Sequence, residues 1–279
     1  MKIYTSIAIF LLGLCLVAFA QGEIVDIPEG ENPVDIGIPK DADLVTTEQP
    51  EEAIPIRPQP EEAIPIGPQP VIELPEKTFD FGYSPEGFFL VHPFKIRNAG
   101  EAELVIERVR TTCGCTSAPL AKTNLEPGEE TEVMVIFNSR RYKHRTSKGT
   151  IITSNDLFNK SVRVTFSANM DSTGLPFWIE PFGLTIENGD KPPKKMVFEI
   201  ENKSDQNYEL SVVGWTSDII SKPEIKHPRF KSGAKTEIEV KMNKDFDYAA
   251  NYIKSSFTIE AAGENPVRFT IPIKGSGPK

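Results

Sequence analysis

Phe94-Lys95-Ile96-Arg97-Asn98 and Phe198-Glu199-Ile200-Glu201-Asn202 are the same pentad in outline, 104 residues apart. Each alternates apolar and polar residues, the period of a half-buried β-strand. Outward from the pentads the two stretches stay in step. Val109 matches Val213 at the same offset. After a one-residue insertion, Gly128-Glu129-Glu130-Thr131-Glu132-Val133 matches Gly233-Ala234-Lys235-Thr236-Glu237-Ile238 at 105. Both stretches close on an alternating strand, 161–168 and 267–275. Landmarks in one order at nearly constant spacing imply one module used twice.

Between the landmarks lie short runs rich in β-branched and aromatic residues, at 88–96, 103–109, 131–137, 149–153 and 161–168. Asn98-Ala99-Gly100, Glu126-Pro127-Gly128 and Ser154-Asn155-Asp156 supply the turns. No stretch carries a helical period of useful length. The spacing predicts an all-β chain of two tandem antiparallel sandwiches, 76–170 and 174–279, joined near Asp171-Ser172-Thr173-Gly174. One face of each strand packs and the other is wet. The expected core is Phe94, Ile96, Leu104, Ile106, Val133, Val135, Phe137, Val162, Val164 and Phe166. In the second module it is Phe198, Ile200, Leu210, Val212, Ile238, Val240, Phe257, Ile259, Phe269 and Ile271.

The first 75 residues read differently. Lys2, an apolar run over 7–20 and Ala18-Phe19-Ala20 have the order of a secretory signal, cleaved between Ala20 and Gln21. The rival is an uncleaved anchor over 3–20, shorter than the roughly 20 apolar residues a spanning helix needs. Leu14 before Cys15 argues against lipidation. Segment 21–75 holds eleven prolines and a tandem decapeptide, 51–60 and 61–70, that differs only at Arg57 and Gly67. It carries thirteen acids against Lys40 and Arg57, a net of −11. Such a composition gives a disordered, extended linker. The remainder, 76–279, has 27 acids and 28 bases, a net of +1. That balance argues against nucleic-acid binding, which draws on a basic surplus.

With Cys15 lost in the leader, the mature chain keeps only Cys113 and Cys115. Export would place them where a disulfide persists. Residues i and i+2 of a strand share a face, but a flat strand holds them too far apart to bond. Gly114 would permit the turn that closes the gap. The pair is then a disulfide or buried thiols, a clamp for a soft metal, or an exchangeable redox pair. A closed metal site wants more ligands. His92, His144 and His227 lie at no ligand-like spacing and read as surface or turn histidines. The second copy has Thr216-Ser217-Asp218-Ile219 at the equivalent place, so the fold itself closes without thiols.

Asp80-Phe81-Gly82, the pentad with Ala99-Gly100, Thr112-Cys113-Gly114-Cys115-Thr116, Pro127-Gly128 and Ser154-Asn155-Asp156 stand in one order. Together they resemble the bacterial family known as domain of unknown function 1573, over residues 76–170. The resemblance implies an immunoglobulin-like sandwich, of the kind seen in Hydin-type and major-sperm-protein-type modules, in an exported protein. It implies no reaction.

No Gly-x-Ser-x-Gly elbow, phosphate-binding loop or His-Glu-x-x-His string occurs, so no catalytic residue is expected. Asp156 and Asp218 read as solvated loop carboxylates. The expectation is a non-enzymatic binding or scaffolding protein of the cell envelope, periplasmic or secreted, without cofactor. Its partner would be another envelope protein or surface component, and it would meet a membrane only if the leader is retained. The alternative is a thiol-redox or soft-metal-handling protein built on Cys113-Gly114-Cys115.

Overall fold

Strands whose apolar residues fall on every second position have one face to bury, and in a chain without helical periods that face packs on another sheet. The computed structural model describes residues 67–187, 193–248 and 250–275. The leader with Ala20 and Gln21, and the linker up to residue 66, lie outside the described residues. The first module contains β1 (Ile72–Glu73), β2 (Thr78–Tyr83), β3 (Phe89–Asn98), β4 (Leu104–Thr111), β5 (Thr116–Ser117), β6 (Asn124–Leu125), β7 (Glu130–Asn138), β8 (Arg145–Ser154) and β9 (Ser161–Asn169). A 3-10 turn, Ser172–Gly174, follows. The second contains β10 (Phe177–Glu180), β11 (Leu184–Ile186), β12 (Met196–Asn202), β13 (Tyr208–Trp215), β14 (Glu224–Ile225), β15 (Arg229–Phe230), β16 (Lys235–Val240), β17 (Lys254–Ala262) and β18 (Val267–Gly275).

The first module stacks β1-β3-β7-β5 on β2-β9-β8-β4-β6. The second stacks β10-β12-β16-β14 on β11-β18-β17-β13-β15. Adding nine to each strand number of the first copy gives the second, so the repeat extends to topology. Four strands facing a sheet built on three neighbouring strands is the immunoglobulin arrangement. The chain is all-β among the described residues, and its two sandwiches keep separate cores.

The expected core positions are buried, with two exceptions: Val162 and Val212 are half-buried beside their cores. Phe79, Phe81, Leu125, Phe177 and Phe230 join the cores from strands too short or irregular to show a period, and Leu90 joins from β3, in phase with Phe94 and Ile96. The linker boundary at residue 75 shifts. Val71 O accepts from Ala99 N, and Ile72 and Leu74 are buried on the first sandwich. Residues 69–75 therefore belong to the fold, anchored by the alternating Ile72 and Leu74 despite the prolines around them.

The asparagine that ends each pentad is fully buried. Asn98 Nδ2 donates to Ala102 O (2.8 Å) and Leu125 O (2.9 Å), and its Oδ1 accepts from Gly100 N (3.0 Å). Asn202 Nδ2 donates to Gln206 O (2.8 Å) and, at longer range, Phe230 O (3.3 Å), and its Oδ1 accepts from Ser204 N (3.0 Å). These partners are the same positions in the two copies. A buried side-chain amide thus ties three loop segments together at one end of each sandwich.

The copies are also joined to each other. β2 pairs in parallel with β9 of its own module and, at Tyr83 to Phe269, with β18 of the other, which makes one ten-stranded sheet. Thr270 Oγ1 donates to Phe81 O (2.6 Å). Ser256 Oγ accepts from Val91 N (2.9 Å) and donates to Val91 O (3.2 Å), closing the edge of β3. Ser256, Thr258 and Thr270 were expected on a wet face. They are buried because the first module covers that face. Hydroxyls suit this seam, since each can donate and accept toward an unpaired backbone group.

Asp156, expected to be solvated, is 1% exposed. Its Oδ2 accepts from Ile72 N (2.9 Å), and its Oδ1 accepts from Phe158 N (2.8 Å) and Asn159 N (2.9 Å). Burial pushes its carboxyl up, but those three N–H groups outweigh it and hold the group below its ordinary value of 3.8. A lowered folded-state value means the stabilisation is complete above the unfolded value and fades as pH falls through the folded one. Asp156→Asn is expected to cost about 2 kcal/mol at pH 7. In urea unfolding, the gap from the parent protein should narrow as pH drops below about 4. A gap independent of pH would show that the charge contributes nothing.

Candidate functional site

β4 ends at Thr111, and the chain must cross to the other sheet to begin β5 at Thr116. The crossing is Thr112-Cys113-Gly114-Cys115. Thr112 N donates to Gly149 O (3.0 Å) and Thr111 Oγ1 donates to Cys113 O (3.0 Å), which fix the start of the bend. Asn138 N donates to Cys115 O (2.9 Å), which fixes its end against β7. Cys113 and Cys115 form a close pair, Cα atoms 5.2 Å apart, with their sulfurs at bonding distance. Gly114 is not what makes this possible. Its φ lies outside the left-handed region, and a Cβ there would meet open space.

Both cysteines are half-buried, and Cys115 packs on the core. The buried Thr116 hydroxyl lies 3.4 Å from Cys113 Sγ and 3.7 Å from Cys115 Sγ. The pair borders an open cavity of about 560 Å³, whose other walls are Asn138, Arg140, Arg141 and Tyr142. Tyr142 packs on Phe137 (5.1 Å between centroids) and carries Lys148 Nζ over its ring at 5.1 Å. The arrangement combines a half-buried cysteine pair, one hydroxyl within reach of either sulfur, and two arginines in the wall of the cavity.

Thr116, Arg140 and Arg141 were not expected from sequence. The signal was present in Ser139-Arg140-Arg141-Tyr142-Lys143-His144-Arg145-Thr146-Ser147-Lys148, which has five Arg or Lys and no acid. Summing charge over the whole body hid it. Of those five cations, Arg145 alone pairs with a carboxylate among the described residues, Asp80 at 3.1 Å.

The histidines do not gather at the sulfurs. His144 and His227 are outside the cores, whereas His92 is not the surface residue expected. It is 5% exposed, stacks on Phe79 (3.5 Å between centroids) and meets Glu76 Oε2 at 2.7 Å. Its position in β3 has the parity of Leu90, Phe94 and Ile96, which puts it on the inward face. Among the described residues no three His, Cys, Asp or Glu side chains converge as metal ligands.

The search of curated proteins found no match. Among solved structures, the Vibrio cholerae VesB protease overlaps 36% of this chain and 31% of its own, at 16% identity and TM-score 0.29. The PapD-like domain 7 of human CEP192 overlaps 39% of this chain and 90% of its own, at 12% identity and TM-score 0.31. The YadV chaperone overlaps 72% and 98%, at 10% identity and TM-score 0.30. None of these overlaps bears on function. The family described as protein of unknown function (DUF1573) matches residues 72–170, the span of β1 to β9. That span begins at the strand that Asp156 anchors and holds the Cys-Gly-Cys-Thr crossing. The first of the two immunoglobulin-like sandwiches is the part of the chain that resembles the DUF1573 family.

Proposed function

We propose that this chain is a non-enzymatic binding or scaffolding protein of the bacterial cell envelope, exported through its leader and meeting another envelope protein or surface component. The observation that carries this reading is the joint. Two sandwiches share one sheet, so their end loops are held at fixed separation, as a scaffold needs. The turn between β8 and β9 supplies a contact point. Leu157 and Phe158 stand 59% and 67% exposed on a backbone that Asp156 holds in place. Large apolar side chains presented this way favour a partner's surface.

Capture from envelope extract with the mature chain tests this reading. A partner should be retained by the parent protein and lost with Leu157→Asp/Phe158→Asp, while the melting temperature is unchanged. Capture of the same set by both proteins would remove the turn from the reading. Failure to capture any partner, together with turnover of a small molecule, would overturn it.

A second reading, thiol exchange, is favoured by one specific observation: a buried hydroxyl within reach of both sulfurs of the close pair.

A further inference from the structure

One asymmetry at the cysteine pair gives it a direction. Cys115 is held by β7 through Asn138 N and is followed at once by the Thr116–Phe137 pairing. The Cys113 carbonyl bonds only within its own loop, to Thr111 Oγ1 and Thr116 N. Both sulfurs lie within reach of one buried, neutral hydroxyl, and both cysteines border one cavity, whose charged walls among the described residues are Arg140 and Arg141. We propose that this is a thiol–disulfide exchange site selective for anionic thiols, with Cys113 the sulfur attacked and Cys115 the one released. The inference rests on the thiol reading above.

An incoming thiolate enters past Arg140 and Arg141 and attacks Cys113 Sγ. A new S–S bond forms there, and the Cys113–Cys115 bond breaks. Its electron pair leaves on Cys115 Sγ as a thiolate, and Thr116 Oγ1 donates a hydrogen bond to that charge. Cys113, anchored only within the loop, moves out with the adduct, while Cys115 stays on β7. Cys115 can attack Cys113 Sγ in return and release the thiol. Alternatively, a second thiolate attacks the adduct's outer sulfur, which leaves both cysteines reduced and the two thiols joined as a disulfide. The first two electrons move from thiol to Cys115, and no other oxidant or reductant is involved. A thiol that carries carboxylates is drawn in by the two guanidinium groups, and a cationic thiol is repelled.

The experiment uses the full mature chain at low ionic strength. It is treated separately with glutathione, 2-mercaptoethanol and cysteamine, quenched, and read by intact mass and peptide mapping. The adduct should form on Cys113, and glutathione should react ~10-fold faster than cysteamine per unit of thiolate. That advantage should vanish in Arg140→Ala/Arg141→Ala and at about 1 M salt, where the screening length is near 3 Å. Thr116→Val should slow adduct formation several-fold, and Thr116→Ser should restore it. If the pair stays bonded in the presence of all three thiols, the thiol reading itself fails. If all three react equally per thiolate, selectivity fails and exchange stands. An adduct mapped to Cys115 would overturn the assigned direction.

Discussion

Asn98→Ala should cost about 3–5 kcal/mol and Asn202→Ala a similar amount, a large share of a single module's stability. Asn98→Ala leaves two carbonyl oxygens and an N–H without their side-chain partner, and Asn202→Ala leaves three carbonyl oxygens and an N–H, around an amide that is itself fully buried. An unpaired buried polar group costs about 1–3 kcal/mol, so three of them account for that range. Aspartate would not rescue, because its carboxylate would face the carbonyls of Ala102 and Leu125. Urea unfolding of the two single variants checks the expectation. Comparable losses would establish that the repeated pentad is held by one device in both copies. A loss below about 1 kcal/mol in either would show that water replaces the amide.

Gly82→Ala should break the joint while sparing both cores. Gly82 has φ +65°, and a Cβ there would fall on the carbonyl of Arg268 in β18. The left-handed conformation alone costs a residue with a side chain about 1–2 kcal/mol. The steric overlap is with backbone, so no rotamer relieves it. β2 must therefore withdraw from β18, taking the Thr270–Phe81 hydrogen bond with it. In calorimetry the parent protein is expected to melt as one unit. The variant should melt in two steps, the first lowered by roughly 5–10 °C. Gly114→Ala serves as the control, since its Cβ meets open space and its φ needs no glycine. A single unshifted transition for Gly82→Ala would show that the two modules are not coupled through β2.

The pentads, their offset and the alternating strands make the two sandwiches legible in the sequence, because strand period and burial are the same fact. The seam between them was not legible. Ser256, Thr258 and Thr270 occupy the polar phase of an alternating strand, and nothing in that phase separates a hydroxyl facing water from one facing another strand's backbone. Asp156 misled for a related reason. A loop carboxylate and a carboxylate that gathers three backbone N–H groups have the same local sequence, and the difference lies in Ile72, 84 residues away. At the candidate site the spacing of Cys113 and Cys115 put both sulfurs on one face, but their close approach comes from the crossing between β4 and β5 and not from a glycine conformation at Gly114. The hydroxyl beside them was written next to Cys115, but its reach to both sulfurs depends on how β5 is laid against β7. The cations of 140–148 were legible and were lost in a sum.

The shared sheet also bears on how the molecule avoids sticking to copies of itself. β18 would offer an open flank, but β11 covers one end of it and β2 the other. At its two outer margins the sheet finishes in β15 and β6, each two residues long. A fibril needs a flank along which a neighbouring chain can zip. Fusing the modules through β2 covers the flank of β18 that the second module would otherwise present to a neighbouring chain.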